Sequence, residues 1–375
     1  MPQPFSIARR GLIGTGLAGL GLAALPGCAT IGSAGRTRPS CLPPVHVSED
    51  RLIRSVVGLR PFRPSGFVVR AETLGAKRLV HNYGHGGAGI MLSWGTSRLA
   101  TNLGLPGHSG PVAVIGAGVV GLTTARLVQE AGFPVTVYAK ALPPETTSNI
   151  AGGQWYPSFL YDEDSLAPAF EAQLVAAAAY AYRRFQIMIG DDYGVRWMRN
   201  YELSDRPFGE GRTDALIASM LPESRALESG EHPFVQPYAR QFTGMIIEPP
   251  RFLRAMLRDI QIAGGRIAVR AFRTPGEIAN LPETLVFNCT GLGAAELFGD
   301  TELMPVRGQL AVLLPQPEVD YAVTAPGLRY MFSRSDGVLL GGTAERGNVS
   351  LDPDPATTAR LIAGHRTLFG SMRCG

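Results

Sequence analysis

Gly116, Gly118 and Gly121 follow the apolar run Pro111–Ile115 and open a stretch of helical spacing, Leu122–Ala131. Gly132 ends that stretch, and a second apolar run, Pro134–Tyr138, comes next. In a strand–turn–helix setting the first glycine makes the turn and the second admits a pyrophosphate. The third lets the helix pack on the strand. The anion sits at the helix N-terminus, beside Val119, where free N–H groups and the helix dipole favour negative charge. The spacing predicts a dinucleotide site and does not separate FAD from NAD. An acid usually ends the second strand and holds the ribose, whereas here the strand ends Tyr138-Ala139-Lys140.

Two other clusters could do chemistry. Gly58-Leu59-Arg60-Pro61 sets a guanidinium between a glycine and a proline. His81-Asn-Tyr-Gly-His-Gly86-Gly87-Ala-Gly89, with Met91 just beyond, is a glycine-rich block with two histidines. His81 and His85 are four apart, but the intervening Asn-Tyr-Gly argues against a helix presenting both to zinc. The four cysteines, Cys28, Cys41, Cys289 and Cys374, include no C-x-x-C pair. No metal site is expected.

The blocks Thr146-Thr147-Ser-Asn-Ile-Ala-Gly152-Gly153-Gln-Trp155-Tyr156-Pro157, Phe287–Gly291, Pro305–Gln309, Arg329-Tyr330-Met-Phe-Ser and Gly341–Ser350 stand after the dinucleotide turn in this order. Together with the Arg60 and His81–Gly89 blocks they resemble the D-amino-acid oxidase family of flavoproteins. In that family the last two blocks normally close the chain, so the sequence looks like a circularly permuted member over roughly residues 51–370. Thr101–Gly110 has the composition of the joining linker.

The resemblance implies FAD as cofactor and oxidative deamination of a small D-amino acid. Hydride passes from Cα to flavin N5, oxygen reoxidises the flavin to give peroxide, and the imino acid hydrolyses to a 2-oxo acid and ammonia. It places Arg60 and Tyr330 on the substrate carboxylate, the Gly87 carbonyl on the amine, and Tyr156 where an active-site glutamine is common. Gly116, Gly118, Val119, Gly121, Thr146, Thr147 and Thr290 fall to the phosphates and adenosine half. Gly86, Gly87, Gly89, Met91, Gly152 and Gly153 fall to the flavin. Where many members have a second, lid tyrosine, this chain has Pro326, and Tyr321 is the candidate to replace it. Arg329 would favour acidic side chains, but strand alternation points it away from Tyr330's face.

These elements imply an α/β fold: a Rossmann-like FAD domain and a second α+β substrate domain containing an antiparallel sheet. The FAD domain would use strands near Val112–Ile115, Val135–Tyr138, Thr284–Asn288 and Arg78–His81. The second would use Arg196–Leu203, Gln309–Leu314 and strands around Tyr330 and Leu340. Leu166–Gly190 and Asp354–Phe369 read as helices. In chain order this gives a leader (1–28), a linker (29–50), the front segment (51–110), the βαβ unit (111–160) and the substrate domain interleaved with further FAD-domain strands (161–375).

Charge and leader bear on partners and location. Lys+Arg exceeds Asp+Glu by 35 − 31 = 4, and the first forty residues hold four arginines and no acid. The rest balances at 31 against 31, with no basic stripe, so nucleic acid is not an expected partner. Arg9-Arg10 before the uncharged run Gly11–Leu25 resembles a twin-arginine export signal. Leu25-Pro26-Gly27-Cys28 resembles a lipobox, with an ordinary secretory leader as the alternative. Export to the periplasm or cell envelope is expected, with lipid anchoring through Cys28 or without it. In an oxidising compartment Cys41 and Cys374, at the two new ends, could pair. Two alternative functions use the same residues: an envelope dehydrogenase passing electrons to a membrane acceptor instead of oxygen, and a non-catalytic flavin-binding protein.

Overall fold

In the computed structural model, residues 41–209 and 211–373 are described; the leader, Cys28 and Cys374 lie outside them. The elements run β1 (Leu52–Phe62), β2 (Val68–Leu74), β3 (Lys77–Tyr83), α1 (Gly89–Gly104), β4 (Val112–Ile115), α2 (Val119–Glu130) and β5 (Val135–Ala139). Then come α3 (Pro168–Gln186), β6 (Val195–Ser204), α4 (Arg212–Ile217), β7 (Arg225–Leu227), β8 (Tyr238–Ile247), α5 (Pro249–Ile262), β9 (Arg266–Val269) and α6 (Pro275–Ala279). The chain finishes with β10 (Leu285–Asn288), α7 (Gly293–Phe298), β11 (Met304–Leu313), β12 (Tyr321–Ala325), β13 (Arg329–Arg334), β14 (Gly337–Gly341), β15 (Glu345–Arg346) and α8 (Pro355–Gly370).

Two sheets organise these elements. The order β2-β3-β10-β4-β5-β9 is parallel except for β2, an antiparallel edge. Its inner strands are continuous apolar runs because both faces are covered: Val112, Val114, Leu285 and Phe287 are fully buried. The second sheet runs β1-β11-β14-β13-β12-β6-β8-β7, with β15 beside β11, and is antiparallel except where β12 meets β6. The fold is thus a mostly parallel α/β layer joined to a mostly antiparallel sheet. Among the described residues no helix is long and apolar enough to cross a membrane.

The front segment and the end of the chain each complete a sheet begun elsewhere. β3 inserts beside β10, and β1 pairs along its whole length with β11. The stretch read as linker up to residue 50 includes Leu42, Val45 and Val47, which are buried with Ile362 and Phe369 of α8. Arg366 of α8 donates to the Val47 carbonyl at 3.2 Å. Cys41 is disulfide-bonded, and Cys289 is a buried free thiol.

Four boundaries differ from the sequence reading. The helix after the dinucleotide turn begins at Val119, since extended Gly118 is its N-cap. Thr101–Gly104, read as linker, is the last turn of α1. Ala100 and Thr101 are buried there, and a Cβ on Gly104 would press on Phe287. Pro168 and Pro355 each start a helix at its first position, where no backbone donor is lost. Asp354 caps α8 through the amides of Ala356 and Thr357.

Candidate active site

The dinucleotide cradle forms where β4 enters α2. Gly116 has φ +111°, and a Cβ there would overlap the Cys289 carbonyl; a Cβ on Gly121 would overlap the carbonyl of Gly116. Strand and helix therefore approach as closely as a pyrophosphate turn requires. No side chain caps Gly118. The Val119 amide donates to Ser148 Oγ at 3.0 Å, so Ser148 stands at the helix N-terminus among the predicted phosphate contacts. Thr146 bonds Asn149 Oδ1 at 2.9 Å, and Thr147 opens a single 3₁₀ turn. Thr290, at the end of β10, is held by Asn288 Oδ1 at 2.7 Å, with its amide beside Gly116. Exposed Lys140 follows β5, where the ribose-binding acid would stand.

Residues 148–155 carry the chain from this cradle to the antiparallel sheet. Ile150 packs on Gly58 of β1, and Gly152 lies against the ring of Phe332. Gly153, at φ +93°, accepts the Ile247 amide at 2.8 Å, and the Trp155 amide reaches Met245. A side chain at any of these glycines would push the two layers apart.

Arg60 and Tyr330, the residues expected to hold a carboxylate, meet on the face of the sheet that this segment covers. Val56, Gly58 and Arg60 alternate onto it from β1. Arg60 Nη1 donates to the Thr343 carbonyl at 3.1 Å, and Nη2 lies 3.5 Å from the Tyr330 hydroxyl. Its guanidinium passes over Gly308, where a Cβ would collide with it. The Tyr330 ring rests on Gly341 and Gly342 and stacks on Phe332 at 5.0 Å. Burial raises the Tyr330 pKa, with Arg60 opposing, so the hydroxyl keeps its proton. Among the described residues Arg60 forms no ion pair with an acid.

Phe159 connects Arg60 to the glycine block. Its ring sits 5.1 Å from the guanidinium carbon, and its carbonyl accepts the Gly87 amide at 3.1 Å. It holds φ +50°, an uncommon conformation for a bulky residue. Gly86, at φ +52°, donates to Pro61 at 2.8 Å, and side chains on Gly86 or Gly87 would meet the carbonyls of Phe159 and Ser158. The Gly87 carbonyl takes no hydrogen bond among the described residues. Gly89 begins α1, while Met91 lies fully buried in the core between the layers.

Tyr156 has a different neighbourhood. Its hydroxyl donates to Asp214 on α4, and its ring leans on Phe242. Burial and that carboxylate raise its pKa. The pocket lid also departs from expectation. Tyr321 is fully buried on the opposite face, where its hydroxyl donates to the Pro43 carbonyl at 2.7 Å, so it is not a substitute lid. A short turn, Pro326–Leu328, joins β12 to β13 at that place. Arg329 lies beside Gly364 of α8, away from Tyr330's face. Among the described residues no His/Cys/Asp/Glu group could hold a metal.

With this geometry in view, comparison identifies the class. The chain belongs to the FAD dependent oxidoreductase family, which it matches in two blocks, residues 38–103 and 111–373. It is 31% identical over 260 residues to the D-amino-acid oxidase of Rubrobacter xylanophilus, covering 66% of this chain and 74% of that protein. The Streptomyces coelicolor D-amino-acid oxidase is 32% identical over 259 residues, covering 68% and 76%. Among solved structures, glycine oxidase from Bacillus cereus matches with TM-score 0.51 at 16% identity, over 69% of this chain and 78% of that one. The last likeness shows the fold. The cofactor is FAD, and the glycine cradle at Gly116–Gly121 fits its pyrophosphate.

Proposed function

We propose that this enzyme oxidises D-amino acids to the 2-oxo acid and ammonia, with oxygen as the final acceptor and hydrogen peroxide as its product. The observation that carries the reading is Arg60: a cation without an acidic partner among the described residues, set beside the Tyr330 hydroxyl. Bound FAD supplies the hydride acceptor. Arg60 and Tyr330 hold the substrate carboxylate, and the Gly87 carbonyl is left to accept from the amine. Fixing both groups fixes the direction in which Cα presents its hydrogen, and this orientation is the protein's contribution. Phe159, Phe332 and the glycine-supported Tyr330 ring wall the site with apolar surface, which strengthens the charge-assisted contact to Arg60.

We further propose that the order of segments is permuted relative to the family. Packing of residues 42–47 against α8 and the two-block family match support that reading. The Arg9-Arg10 leader supports export. Anaerobic bleaching of the bound flavin by matched D- and L-amino acids tests the activity. Bleaching by D-forms alone, followed on aeration by one peroxide per substrate, is expected; bleaching by neither form overturns the reading.

A further inference from the structure

We propose that the preferred substrate carries a cationic side chain, read by Glu202 with Asp214. This deepens the D-amino-acid reading and rests on it. Directly opposed residues on neighbouring strands project to the same face, and the register draws one row across the sheet. Gly341 opposes Tyr330, Tyr330 opposes Thr324, Thr324 opposes Glu202, and Glu202 opposes Arg240. A substrate anchored through its carboxylate at Arg60 and Tyr330 therefore has Thr324 and then Glu202 along one direction of the sheet face. The backbones of Tyr330 and Glu202 are two strands apart, about 10 Å at ordinary strand spacing, and the Tyr330 ring leans the other way, over Gly341, so the span from the carboxylate anchor is longer still. Thr324 is the only side chain between them in the row, and it is short.

The far end of the row is negative. Glu202 Oε2 accepts Arg240 Nε at 3.0 Å and Nη2 at 2.5 Å. Asp214 Oδ2 accepts the same Nη2 at 2.7 Å, while Oδ1 takes the Tyr156 hydroxyl. Two carboxylates thus share one guanidinium, and one negative charge is left over. Glu202 Oε1 accepts no hydrogen bond among the described residues. The three side chains are 18 to 32% exposed, sheltered enough for charge to be felt. Only a long side chain ending in an ammonium or guanidinium could span that row and balance the charge. A neutral chain of equal length leaves it unpaired, and an acidic chain meets like charge.

The test uses the flavin-loaded enzyme under anaerobic conditions with D-lysine, D-arginine, D-norleucine, D-alanine and D-glutamate. The second-order bleaching constants for D-lysine and D-arginine are expected to exceed that for D-norleucine by about tenfold or more, with D-glutamate slowest. Glu202→Gln should bring the D-lysine to D-norleucine ratio towards one; if that variant does not load flavin, the wild-type ranking decides alone. D-norleucine equal to or faster than D-lysine overturns the side-chain assignment and leaves the D-amino-acid reading standing. No bleaching by any D-amino acid overturns both.

Discussion

Arg60 and Tyr330 approach to 3.5 Å although their strands, β1 and β13, are separated in the sheet by β11 and β14. The approach is possible because Gly308 on β11 and Gly341 on β14 have no side chains where the guanidinium and the ring cross them. Two glycines in the intervening strands thus bring together two residues that are 270 positions apart in the chain.

Removing either partner of this pair separates binding from loading. Arg60→Ala should cut the flavin-bleaching rate constant by a factor matching about 2–5 kcal/mol, the usual cost of a charge-assisted contact in a sheltered site. Tyr330→Phe removes one hydroxyl and should cost about 1 kcal/mol, mostly as a higher KM. Both variants should purify yellow with the wild-type flavin content, because neither residue touches the cradle. Stopped-flow bleaching against substrate concentration measures both effects, and wild-type kinetics in Arg60→Ala would remove it from the site.

The cradle makes a graded prediction. A Cβ at Gly121 overlaps the Gly116 carbonyl, whereas at Gly118 it meets only Ser148 Oγ at 3.1 Å. Gly121→Ala should therefore yield protein without flavin, and Gly118→Ala should load it with weakened affinity. Absorbance of the purified variants near the flavin bands gives the answer directly; equal loading would mean that close packing of α2 on β4 is not what binds the cofactor.

The parts of this site that could be read from the sequence are those imposed by backbone. Gly116, Gly121, Gly86 and Gly153 were legible because only glycine tolerates those torsions or contacts, so each leaves a mark at a fixed spacing. The partners of Arg60 and Tyr156 were not. Phe159, Asp214 and Arg240 acquire their roles from loops and strand register, and nothing local distinguishes them from any other aromatic or charged residue. Tyr321 shows the same limit from the other side. It was the candidate to replace the lid tyrosine missing at Pro326, but alternation along β12 sends it into the core beneath α8. The end of α1 failed for a compositional reason: Thr101-Asn-Leu-Gly104 reads as loop, yet packing against β10 keeps it helical.

The ends of the chain carry a covalent prediction. Leu42 and Met372 line one cavity, and Arg373 is tied to the Pro233 carbonyl at 2.7 Å, so the chain segments leading to Cys41 and towards Cys374 run close together. Peptide mapping without reductant should recover Cys41 and Cys374 in one linked fragment that separates on reduction. A Cys28–Cys41 fragment would refute this pairing and, by occupying its thiol, lipidation of Cys28 as well.

Acid should destabilise the fold in a defined window. His85 is fully buried against Phe67, with Nε2 2.9 Å from Thr96 Oγ1, and burial pushes its pKa down to about 3. Burial also lowers His81, His232 and His365. All four titrate below the unfolded value of about 6.5, so beneath that pH the unfolded chain binds protons that the folded chain refuses. Stability is then full above pH 6.5 and declines as pH falls towards 3, by about 1.4 kcal/mol per pH unit for His85. Urea midpoints should hold level from pH 7.5 to 6.5 and fall from there to pH 4.5. His85→Gln, which keeps a hydrogen-bonding group for Thr96, should flatten the decline by the share of one histidine. A midpoint constant over that range would show that these imidazoles are protonated in the folded protein, and that their burial is less complete in solution than the packing around Phe67 and Thr96 requires.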